Sequence, residues 1–144
     1  MIDQAKKKKL IEHIKQRQIS NEQELLLAPD LYFDGYDDKQ CNVCANVGPF
    51  STSHFAARLQ EISQHPDVSA VFIRFYEYAD ALEYDDSWIG SDSVYLVTSA
   101  SLGAVRDWFA DLEVSDVWEE NDITKFPDVS KLSAGFRLVA VWWD

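Results

Sequence analysis

Residues 68–78 place β-branched and aromatic side chains at successive positions, so both faces of a strand formed here would be apolar. Such a strand cannot lie at the surface of a one-sided sheet. It needs cover above and below, and the rest of the chain has to supply that cover.

Two further segments read as strands. Residues 93–98 carry Val94, Tyr95, Leu96 and Val97, and residues 135–143 carry Phe136, Leu138, Val139, Ala140, Val141 and Trp142. Cys41, Val43, Ala45 and Val47 alternate with Asn42, Cys44 and Asn46, a period of two that predicts a half-buried strand ended by Gly48 and Pro49. Between the strands lie helical patterns. Ser51, Thr52 or Ser53 can cap a helix with Phe55, Leu59 and Ile62 on one face, and His65-Pro66-Asp67 stops it. Ser99 or Ser101 can cap a second, bearing Leu102, Val105, Phe109 and Leu112 on one side. Residues 3–18 predict an opening helix, capped by Asp3, with Leu10, Ile11 and Ile14 opposite the lysines. Residues 25–27 and 31–33 are short apolar pieces around Pro29, strand or turn. Residues 34–38 read as a turn, 79–91 as an acidic loop and 113–134 as irregular.

The order is helix, then β-α-β-β-α-β. It predicts the α+β class, with a ferredoxin-like βαββαβ sandwich and an extra N-terminal helix over the other face or an edge. At 144 residues, with no Gly/Ser-rich linker and no repeat, the chain is expected to be a single domain, 1–144. It would comprise a basic helix, 1–20, and an acidic α/β body, 21–144.

Charge separates these two parts. Residues 1–20 hold six basic and two acidic groups, net +4, and residues 21–144 hold 7 basic and 23 acidic groups, net −16. A field of that sign repels nucleic-acid phosphates and attracts basic partners. The opening Lys6–Lys9 run lacks interleaved aromatic residues, so no nucleic-acid partner is expected. With no apolar block behind those lysines and no apolar run of about 20 residues, neither a signal peptide nor a membrane partner is expected. A cytoplasmic protein with reduced thiols follows.

Chemistry-bearing motifs are sparse. G-x-G-x-x-G and G-x-x-x-x-G-K-[ST] are both absent, and no cofactor is expected. Cys41 and Cys44 have C-x-x-C spacing, but a strand would point them to opposite faces, which favours two unrelated structural cysteines over a redox or zinc pair. His13, His54 and His65 fit no metal or catalytic pattern, and neither a metal site nor a catalytic residue is assigned. The Asp34, Asp37 and Asp38 stretch lacks the spacing of a calcium loop.

Acidic loops that also carry aromatic residues are the most distinctive feature. Asp34, Tyr36, Asp37 and Asp38 form one; Tyr84, Asp85, Asp86, Trp88 and Asp92 form another; Trp118 precedes Glu119, Glu120 and Asp122. Solvated loop charge, with Trp88 and Trp118 closing over the core, is one reading. The other makes these residues a partner-binding surface, with aromatic anchors and carboxylates that steer a basic protein.

Phe33-Asp34-Gly35, Asn46, Trp88 with Ser91-Asp92, and the terminal Trp142-Trp143-Asp144 resemble small uncharacterised bacterial domains. In size, charge and aromatic loops the chain also resembles the acidic immunity proteins that neutralise bacterial toxins. That likeness implies a non-enzymatic inhibitor of a basic partner and carries over no residue. The alternative is a carboxylate-dependent enzyme, metal-assisted or not, in which Asp34, Asp37 or Asp38 meets Asp85, Asp86 or Asp92. A homodimer paired through sheet faces is a third arrangement.

Overall fold

Ser51 Oγ accepts the His54 amide at 3.1 Å and Ser101 Oγ accepts that of Ala104 at 3.1 Å, so both predicted serine caps start helices. These contacts belong to a computed structural model that describes residues 2–17, 22–48, 50–129 and 131–144. The helices are α1 (Gln4–Arg17), α2 (Pro29–Phe33), α3 (Thr52–Ser63), α4 (Ala79–Glu83) and α5 (Leu102–Trp108). The strands are β1 (Leu26–Leu27), β2 (Val68–Arg74), β3 (Ser93–Thr98), β4 (Asp116–Glu119) and β5 (Arg137–Trp142). The chain is therefore α+β, with one antiparallel sheet of five strands in the order β1-β2-β3-β5-β4.

The period of two along each strand sorts its side chains to two cores. Val71, Ile73, Val94, Leu96, Val117, Val139 and Val141 face a large cluster built with the helices. There α1 contributes Leu10, Ile11 and Ile14, α3 contributes Phe55, Leu59 and Ile62, and α5 contributes Val105. Each such side chain contributes about 1.5–3 kcal/mol when fully buried. Leu26, Tyr95, Val97, Leu138 and Ala140 face the other way, under Phe126 and Val129 of the β4–β5 connection. Both faces of the sheet carry cover, but in β2, from residues 68–78, only Val71 and Ile73 are buried; the strand buried at all six positions is the central β3.

The second expected β-α-β unit does not form as read: 93–98 and 135–143, its two expected strands, pair directly and antiparallel as β3 and β5. β3 and β4 are each antiparallel to β5, which lies between them, so β3-α5-β4 is a split β-α-β crossover. The first expected unit lacks its opening strand, so the sheet does not have the ferredoxin-like order. The predicted strand over 41–47 is a 3-10 turn, Asn42–Cys44, followed by a further turn. Its backbone bonds are local: the Cys41 amide donates to Phe50 O at 2.7 Å and the Val47 amide to Cys44 O at 3.3 Å. Alternation over so short a stretch is satisfied equally by a turn that buries Cys41, Val43 and Cys44 together. Pro49, the expected end of that strand, and residue 18 of the first helix lie outside the described residues.

Two segments read as irregular contain elements. The 79–91 loop holds α4, and 113–134 holds β4, where Val117 alone turns inward to the large core. α5 ends sooner than its pattern suggests. Phe109 and Leu112 are buried from a following 3-10 turn, which closes at Glu113 in the left-handed region (φ 54°).

Candidate functional site

The two acidic loops, roughly 130 Å apart along an extended chain at about 3.3 Å per residue, meet in space. They enclose a recess of about 220 Å³. Tyr36, Asp38, Gln40 and Asn42 line one side. Glu77, Asp80, Asp86 and Trp88 line the other.

The first side is held from α2 and α3. Trp88 Nε1 donates to Tyr32 O at 2.9 Å, and the Tyr32 hydroxyl donates to Ile89 O at 2.6 Å. Tyr36 stacks on Trp88 with ring centres 5.0 Å apart and planes 6° from parallel. Its hydroxyl oxygen accepts the Asn42 amide at 2.8 Å, while Asn42 Nδ2 donates to Ile89 O at 2.8 Å. Burial pushes the Tyr36 hydroxyl well above the ordinary tyrosine range, so it stays protonated. Asp38 is tied to the start of α3, its amide donating to Thr52 Oγ1 at 3.2 Å.

The second side is held by α1. Lys7 is 5% exposed, and its ammonium donates to the carbonyls of Tyr84 (3.0 Å), Asp85 (3.5 Å) and Ser87 (3.1 Å). Gln4 Nε2 also donates to Asp85 O, at 2.8 Å. Glu77 Oε2 accepts the Ala79 amide at 2.5 Å and so fixes the start of α4. A two-way bridge closes the base: Gly90 N–H donates to Glu77 O at 2.7 Å and Tyr76 N–H to Gly90 O at 2.9 Å. A Cβ at position 90 would stand 3.0 Å from the Glu77 side chain, so glycine permits this approach.

Among the described residues that line the recess there is no lysine or arginine. Among the described residues, Glu77, Asp80 and Asp86 form no ion pair, whereas Asp34, Asp92 and Asp128 each do. The 76–86 segment that supplies one wall also exposes Tyr76 (61%), Leu82 (59%) and Tyr84 (51%), with Leu82 in the groove against α1 and Tyr76 under Arg74. The arrangement is a carboxylate-rimmed socket with an aromatic floor. It can accept a guanidinium or ammonium group.

The predicted residues divide. Tyr36, Asp38, Asp86 and Trp88 come together in the recess. Asp37 lines a shallower hollow with Tyr36 and Phe33. Tyr84 and Asp85 border the groove between α1 and α4 or its edge, their carbonyls bound by Lys7. Asp34 faces α1, paired with Lys6 Nζ at 2.8 Å. Asp92 lies at the head of β3, between Arg74 Nη1 (3.3 Å) and Trp142 Nε1 (3.2 Å). Trp118 is on the opposite sheet face, its Nε1 donating to Glu120 Oε1 at 2.8 Å. Trp88 is 3% exposed, so its indole is a floor and a core member and does not stand free. Sequence reasoning passed over Glu77 and Gln40. Glu77 was hidden in the run read as a strand to residue 78, which ends at Arg74.

Cys41 and Cys44 are both free and buried beneath this side of the recess. The 3-10 turn brings them together, which corrects the expectation of opposite faces. Among the described residues no three His, Cys, Asp or Glu side chains are grouped so as to hold a metal ion, and no helix is long and apolar enough to cross a membrane.

An α+β domain with an acidic recess between two loops is the class that fold and site define. The chain belongs to the Uncharacterized protein YfbO family, whose model it matches over residues 5–141. It is similar to the uncharacterized protein YfbO of Escherichia coli (strain K12), at 25% identity over 123 residues, covering 83% of this chain and 82% of that one. It is thus one of a group of small uncharacterised bacterial proteins. No solved structure matches it.

Proposed function

We propose that this protein is a non-enzymatic binding module that seats a basic protein partner on the recess, in the manner of an immunity or inhibitor protein. The carrying observation is the convergence of Glu77, Asp80 and Asp86, with Asp38 across from them, on one hollow that no lysine or arginine of the described residues lines. The surrounding −16 body steers a cationic partner to it. Trp88 and Tyr36 form a rigid floor, and the segment that supplies one wall also exposes Tyr76, Leu82 and Tyr84. A carboxylate-pair enzyme would use the same meeting of Asp38 and Asp86. The binding reading stands first because a small substrate in the recess would not reach the exposed Tyr76, Leu82 and Tyr84 of the same segment, and a protein partner can.

Calorimetric titration with a short arginine- and lysine-rich peptide carrying one aromatic residue tests the proposal. Binding should weaken on adding salt and fall about tenfold, or 1.4 kcal/mol, in the Asp80→Asn/Asp86→Asn double variant. A peptide that binds the double variant as well as the parent, or ignores salt, removes the recess as the docking site.

A further inference from the structure

Cys41 and Cys44 take no part in that reading, and their placement has chemistry of its own. Both thiols are 0% exposed, and neither is bonded to another sulfur. Cys41 is the N-cap of the 3-10 turn Asn42–Cys44. Side chains three apart eclipse in such a turn, and its end Cα atoms lie within about 7 Å. A disulfide spans Cα separations of about 4.4–6.8 Å, so this backbone needs little change to accept one. Cys44 Sγ already reaches back to within 4.0 Å of the Cys41 carbonyl.

The two sulfurs are unequal. The Cys41 thiol hydrogen-bonds Cys44 and holds its pKa below the ordinary thiol value, against the opposing effect of burial. The same bond, with burial, pushes Cys41 up. One sulfur has gained thiolate character, and the other keeps its proton beside it. The cover over the pair is thin. Asn42 is half-buried and Ala45 and Asn46 are exposed, so opening one turn admits a small molecule but no protein-sized reagent.

We propose that Cys41 and Cys44 are a redox couple that closes to a reversible intramolecular disulfide, with a small hydroperoxide as oxidant. The Cys44 thiolate attacks one peroxide oxygen. The O–O bond breaks, the departing hydroxide takes a proton and leaves as water, and Cys44 becomes a sulfenic acid. Cys41 then attacks the Cys44 sulfur. The S–S bond forms, the S–O bond breaks, and hydroxide leaves with the Cys41 proton as a second water. Two thiols and one hydrogen peroxide become one disulfide and two waters; the sulfurs lose two electrons and the peroxide gains them. A thiol reductant reverses the closure by exchange.

The turn also connects the couple to the recess. Asn42, between the two cysteines, bonds both the Tyr36 hydroxyl and Ile89 O. Drawing the sulfurs to bonding distance moves the residue that fixes Tyr36 against Trp88.

The test uses the full chain, reduced and then exposed to hydrogen peroxide while folded. After quenching, it is unfolded in iodoacetamide and its intact mass is measured. The expected product is a monomer lighter by two hydrogens, with neither cysteine alkylated, restored by dithiothreitol. In Cys41→Ser the reaction should stop at a Cys44 sulfenic acid trapped by dimedone. Two alkylated cysteines after peroxide, under conditions that oxidise the unfolded chain, would overturn the proposal. So would a disulfide formed only between chains. The parent-chain measurement needs no variant to fold, and it is independent of whether any basic peptide binds.

Discussion

Trp88 joins core and recess through one side chain. Its indole N–H is satisfied by Tyr32 O, and its ring is covered by Tyr36. Truncation leaves a cavity and an unpaired carbonyl, so Trp88→Ala should cost about 3–5 kcal/mol, read from urea unfolding. A loss below about 1 kcal/mol would mean that the ring is not packed as described. Lys7 is the second residue of this kind. It lies in a run of four lysines, yet it alone among them is buried, with three carbonyls around its ammonium. Lys7→Met keeps the stem and removes the charge, leaving carbonyls short of a donor. It should destabilise by about 1–3 kcal/mol, whereas Lys8→Met, at an exposed position, should be near neutral in the same assay. Helical spacing does place position 7 with Leu10, Ile11 and Ile14. The identity of the residue argued the other way, because a lysine is almost never inside without partners, and the partners come from residues 84–87.

Elements whose start signals are local were legible. The Ser51 and Ser101 caps, the Pro66 stop and the strand over 93–98 depend on neighbours within a few residues. Ser51→Ala should therefore cost about 1 kcal/mol, measured by thermal or chemical unfolding, by orphaning the His54 amide. The turn after α2 has an equally local demand. Gly35 sits at φ +87°, and a Cβ there would lie 2.7 Å from Lys6 Cβ. Its carbonyl accepts the Asp3 amide at 2.8 Å, which docks the start of α1. Gly35→Ala should lower the melting temperature through about 1–3 kcal/mol of strain and displaced helix. The 41–47 stretch shows where local reading fails. Four alternating apolar residues are a weak signal, and whether they extend or coil depends on a pairing partner. Here the flanking edge of the sheet is taken by Leu26–Leu27, a two-residue strand with too little pattern to find in sequence.

At the scale of the whole molecule, charge dominates. The net charge is −12 at pH 7. The ion pairs are largely exposed at one partner or both, and such pairs contribute little each. Repulsion within the body should therefore outweigh them, and moderate salt should raise the melting temperature by screening it. A melting temperature that falls steadily with salt would show that the pairs, Lys6–Asp34 among them, outweigh the repulsion. Solubility should be least near pH 4.5, where the net charge vanishes.

The amino-acid order alone determined the α+β class, the two serine-capped helices, the doubly covered sheet and the sign of the field. Each of these follows from periodicity, capping or charge, quantities that a residue carries with it or shares with near neighbours. Only tertiary structure decided the strand order, the burial of Lys7 and Trp88, and the separation of Asp92 and Trp118 from the recess. Those depend on contacts between segments far apart in the chain, where each group's environment is supplied by residues that its own neighbourhood does not specify.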